Sequence, residues 1–256
     1  EQLLAAPEAG FMLADSARRI GDSLIDVMPL IIEVTEAARA ADDLPVLCDA
    51  LNLQGVLLLE RGHGQAAERA WCDLVIVATA ADNPQYVARA SNNLGVSATV
   101  NMRLETAIAS FQRAVTAYLR LGYARGLAQS HQNLAIVFLE MDQAQDAHTH
   151  FELAVTFART ADCMDDVARA EQELALLMLY NGEDMQRAVE TVRQALDRFA
   201  QLRQPAGTAE AMRVLGVVEM ARGAREEADV SLQSALNIAR DLKLPDFHTF
   251  AVPVTE

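Results

Sequence analysis

The chain has 256 residues, 52% of them hydrophobic but only 5% aromatic, and its 36 acidic side chains against 21 basic ones leave a formal net charge of −15. That balance argues against the basic surfaces that grip nucleic acid or anionic membranes, and Lys243 is the sole lysine. Cys48, Cys72 and Cys163 lack metal-like spacing, and no apolar run approaches the roughly 18–20 residues that span a bilayer, so a reducing, cytoplasmic setting is expected.

Alanine and leucine dominate, prolines number seven, and runs of alternating Val, Ile and Thr are absent, which predicts helix throughout. The chain opens on Glu1, without a methionine or a basic-then-apolar leader, and so reads as trimmed or partial. Residues 1–44 read as a degenerate or capping hairpin, with helices over 8–20 and 23–41. The apolar run Leu30-Ile31-Ile32-Glu33-Val34 suits packing on the next element, and Pro29 fits only in a first helical turn. This hairpin is either a cap or the cut end of a longer array.

Five similar units follow, over about 45–83, 84–123, 124–163, 164–204 and 205–244. They align on Gly55, Gly95, Ala135, Ala175 and Gly216, spaced by 40, 40, 40 and 41 residues. Twelve or thirteen residues on comes an alanine with a larger apolar residue four positions later: Ala67 and Trp71, Ala107 and Phe111, Ala147 and Phe151, Ala188 and Val192, Ala228 and Leu232. Between the two motifs Gly62, Asn101, Asp142, Gly182 and Gly223 are suited to the left-handed turn that stops a helix. Subtracting the turns from each unit leaves two helices of roughly 16 residues, about 24 Å long. From Pro245 to Glu256 the pattern stops and the chain reads as extended. This tail covers the last repeat, links to a further domain, or docks on a neighbour.

A small residue in one helix and, in the next, an alanine with a larger apolar residue four positions on recur five times in phase, as Leu-Gly in two units and as Ala-x-x-x-Phe in two. This pattern resembles the tetratricopeptide-repeat family over roughly residues 45 to 241. The 40-residue period is similar to the long-helix repeats of kinesin light chains and of bacterial regulators related to the maltose activator. The resemblance implies an all-α fold, a right-handed superhelical solenoid of antiparallel helix hairpins with about 12 helices. It also implies a concave surface lined by the first helix of each unit.

With Gly55 and its equivalents as position 8, position 5 holds Asn52, Asn92, Gln132, Gln172 and Arg213, with Asn93 and Asn133 next to the row. Position 9 holds Val56, Val96, Ile136, Leu176 and Val217, and position 12 is also largely apolar. Carboxamides offer a donor and an acceptor together, which suits an extended peptide backbone, and long-helix members of the family use such ladders. The other reading of these rows is a solvated helix face beside inter-helix packing. The Lys-Asn clamp by which some family members hold a terminal carboxylate is missing; Arg89 and Arg169 lie at position 2, with Glu173 placed to face the second.

No catalytic or metal site is expected, and no cofactor. His148 and His150 diverge by about 200° around a helix, His131 occupies a packing position, and His63 sits in a turn. Asp42-Asp43 and Asp165-Asp166, between hairpins, read as helix caps. The sequence therefore predicts a non-enzymatic module that binds a peptide segment of a protein partner in its groove. The alternatives are a sensory domain of a larger signalling or transcription-regulating protein, and a scaffold that self-associates through its ends or tail.

Overall fold

A computed structural model describes residues 11–12, 27–182 and 184–243. Eleven helices run through residues 28–241: α1 Met28–Ala40, α2 Leu44–Glu60, α3 Gly64–Ala80, α4 Pro84–Val100, α5 Leu104–Leu121, α6 Ala124–Glu140, α7 Ala144–Thr160, α8 Met164–Tyr180, α9 Met185–Gln201, α10 Pro205–Ala221 and α11 Arg225–Asp241. Strands are absent among the described residues. The expected first helix, at 8–20, lies outside them except for the helical pair Phe11 and Met12, and so does the tail at 245–256.

From α2 onward nearly every helix is 17 residues long and is followed by a three- or four-residue turn. Each turn is closed by one residue with positive φ: Asp42, Gly62, Asp82, Met102, Gly122, Asp142, Asp162, Gly182, Arg203, Gly223 and Lys243. After α2 the Gly62 N–H donates to the Leu59 carbonyl at 2.9 Å and the His63 N–H to the Leu58 carbonyl at 2.8 Å, which ties off carbonyls the helix leaves without partners. In the second repeat the sequence favoured Asn101 for this role. Met102 takes it instead, at φ 56°, while Asn101 stays at φ −90° as the C-cap. Helix starts are set by Asp43, Asn83 and Asp184, whose side chains accept backbone N–H bonds, and by Pro29, Pro45, Pro84 and Pro205 in first turns. Asp165 and Asp166 are not caps. They lie inside the first turn of α8 and pair with arginines.

The chain divides into two compact units between Tyr123 and Ala124. In the first, α2 pairs with α3 and α4 with α5, α1 packs on α2, and α3 joins the two hairpins by packing on α4. In the second, α6 pairs with α7, α8 with α9 and α10 with α11, with α7 on α8 and α9 on α10 between them. Each unit is thus a stack of antiparallel hairpins of the tetratricopeptide type.

The small residue at position 8 sets how closely the two helices of a hairpin approach. A Cβ built on Gly95 would fall 2.5 Å from the Phe111 ring, and one on Gly216 would fall 2.6 Å from Leu232. Trp71 covers Gly55 in the same manner, and Ala135, Phe151, Ala175 and Val192 are all fully buried. Dense packing of this kind is what lets short helices hold together.

Candidate functional site

The first helices of the hairpins are α2 and α4 in the first unit, and α6, α8 and α10 in the second. In the first unit, Asn93 on α4 donates Nδ2–H to Oδ1 of Asn52 on α2 at 3.2 Å. The two carboxamides are 41 residues apart, so the amide row steps from position 5 to position 6 between hairpins. Asn92, Val56 and Val96 flank them, half-buried. Thr99 turns its hydroxyl back to the Gly95 carbonyl at 2.9 Å.

In the second unit Gln132 and Asn133 are half-buried, Ile136 is 36% exposed, and Leu176 is half-buried. Gln172 departs from the expected row. It is only 5% exposed, because α8 packs on α7, α9 and also α10, and the side chain is enclosed by that packing. Arg213 is likewise not a free cation in an amide row. Its Nε lies 3.1 and 3.0 Å from the two carboxylate oxygens of Glu210, one turn earlier on α10. Glu173 sits near this pair, and burial, reinforced by Glu210, raises its carboxyl pKa while Arg213 opposes the rise. Arg169, placed by its spacing opposite Glu173, instead binds Asp165 at 2.8 Å and Asp166 at 3.3 Å.

Other grooves lie away from these amides. In the first unit a groove of about 530 Å³ runs between α1 and α3, floored by Leu51 and Leu58 of α2. A larger space of about 890 Å³ opens at the turns, lined by Leu59, His63, Glu68, Val100 and Arg103. In the second unit a groove of about 500 Å³ lies between α7 and α9 over Leu174 and Met178. Its wall holds Glu171, 3% exposed, which accepts from Arg159 at 2.9 Å and Arg198 at 2.7 Å.

Two features escaped the sequence reading. His131 on α6 and His150 on α7 meet with their Nδ1 atoms 2.9 Å apart, and Glu219, also buried, accepts from Arg193 and Ser231. Residues 12 to 26 apart on different helices leave no local pattern by which to find them. His148 turns to Glu152 at 3.3 Å. Among the described residues no group of His, Cys, Asp and Glu is placed to hold a metal ion, and no helix is long and apolar enough to cross a membrane.

Residues 86–160 match the tetratricopeptide repeat family. No curated protein matches the chain in sequence. Several solved structures share its fold. BtubC (BKLC) from P. vanneervenii is 20% identical, with 93% of each chain covered and a TM-score of 0.66. A Podosopora anserina putative kinesin light chain with nearly identical TPR-like repeats is also 20% identical, covering 76% of this chain and 96% of its own at a TM-score of 0.61. A STAND signal transduction ATPase with a tetratricopeptide repeat sensor, from Pyrococcus horikoshii, is 15% identical and covers 97% of this chain but 38% of its own, at a TM-score of 0.77.

Proposed function

As a chain that carries tetratricopeptide repeats, we propose, it is a non-catalytic interaction module that holds an extended peptide segment of a protein partner along the inner faces of its first helices. The observation that carries this reading is the Asn93–Asn52 hydrogen bond. It uses one donor and one acceptor and orients both carboxamides, leaving an NH2 on Asn52 and a carbonyl oxygen on Asn93 as the complement of a peptide unit. Val56 and Val96 supply apolar contact beside them, and Gln132, Asn133, Ile136 and Leu176 repeat the combination in the second unit. The net charge of −15 favours neutral or basic peptides.

The test is selection from a random-peptide display library against the parent chain and the Asn52→Ala/Asn93→Ala variant. Selected peptides should bind the variant about ten- to thirty-fold more weakly, from roughly 1 kcal/mol per lost hydrogen bond, with helicity unchanged. Failure to select any peptide, or equal affinity for both proteins, rules the reading out.

The likeness to a sensor-bearing ATPase that is much longer than this chain favours a second reading, a sensory part of a larger protein. It requires that a selected peptide also change the radius of gyration in solution scattering. Binding with unchanged scattering leaves only the first.

A further inference from the structure

His131 and His150 are joined by more than their hydrogen bond. Their ring centroids lie 5.1 Å apart with planes inclined by 24°. Phe157 stacks on His131 at 5.5 Å and 4°, and Phe138 stacks on His150 at 5.2 Å and 7°. Four rings, two from α6 and two from α7, therefore clip the first hairpin of the second unit together.

At 2.9 Å, one Nδ1 must donate and the other accept, so neutral His131 and His150 occupy opposite tautomers. A doubly protonated pair has only donors. It loses the bond and sets two positive charges against each other in a partly buried aromatic stack.

We propose that this stack is an acid-sensitive latch, which closes the α6–α7 hairpin while the imidazoles are neutral and releases it when they are protonated. Burial lowers the His131 pKa to about 4, with His150 adding to the drop, and burial lowers His150 as well. Asp146, one turn before His150 on α7, opposes part of its shift. On the helices packed here, His148 pairs with Glu152 of α7, and Asp165, Asp166 and Glu171 of α8 pair with Arg125, Arg159, Arg169 and Arg198.

The folded pKa of His131 lies below the unfolded value of about 6.5, so the folded state binds fewer protons. Its stabilisation is therefore complete above pH ~6.5 and is lost as pH falls from there toward ~4. Helix α6 also carries Gln132, Asn133 and Ile136, so release would dismantle that part of the proposed peptide face. This consequence rests on the peptide reading, whereas the latch itself does not.

The test compares the full chain with His131→Leu/His150→Ser, which installs the residues found at the equivalent positions of other repeats, Leu51 and Ser110. Urea unfolding at pH 7.5 and 5.0 gives the linkage, and imidazole NMR titration gives each midpoint. Between the two pH values the parent's unfolding constant should rise about thirty-fold more than the variant's, from His131 alone. Both imidazole midpoints should lie below 6.5. Equal pH dependence in parent and variant, or a midpoint at or above 6.5 for either ring, overturns the latch. If the double variant does not fold, the parent's midpoints decide. Peptide affinity at pH 7.5, where the latch is closed, tests the groove separately.

Discussion

Gly95 on α4 lies under the ring of Phe111 on α5, so close that a methyl group in place of its hydrogen would stand 2.5 Å from the ring carbons. Phe111 is 1% exposed and has no solvent to move into. Gly95→Ala, which elsewhere in a helix would add stability, should here cost about 1–3 kcal/mol through overpacking. Urea denaturation checks this, and a stabilised variant would show that the helices of this hairpin are not held at that distance.

Glu171 and its two arginines differ in how far each is buried. The carboxylate is enclosed, while the side chains of Arg159 and Arg198 are 55% and 25% exposed. Freed arginines can hydrate, but a stranded Glu171 cannot. Replacing both arginines with alanine should therefore cost about 3–5 kcal/mol, and Glu171→Gln distinctly less. Thermal denaturation of the variants decides the order, and equal losses would mean that the carboxylate reaches water when unpaired.

Met102 ends α4 in the left-handed conformation at φ 56°, where Gly62, Gly182 and Gly223 serve other hairpins. A side chain there is held against a backbone preference of about 1–2 kcal/mol. Met102→Gly should raise stability by about 0.5–1 kcal/mol once the entropy of glycine in the unfolded chain is subtracted. The residue is 62% exposed, so little packing is lost. A destabilised variant would show that the methionine makes a contact worth more than the strain.

How far the site was legible differs along the chain. A 40-residue repeat places Asn92 at the register position of Asn52, but the hydrogen bond joins Asn52 to Asn93, one position further on. The same count failed at Gln172, where packing against a third helix encloses the side chain. Spacing places Glu173 one turn after Arg169, whereas the guanidinium turns back to Asp165 and Asp166, the preceding turn of the same helix. A register says which side of a helix a residue occupies, not how closely the next helix approaches that side.

The sequence by itself determined the all-helical class and the hairpin unit, the features that carry its resemblance to tetratricopeptide repeats. Those follow from backbone periodicity and from small and large residues at fixed spacing, which are properties of short stretches of chain. Only the tertiary structure decided that Met102 rather than Asn101 closes its turn, since helix length is fixed by packing against the partner helix as well as by the preference of the stop residue. It alone brought His131 to His150 and Glu171 to Arg198. Such pairings depend on rotamers and on small differences in the spacing of packed helices, which no periodicity encodes.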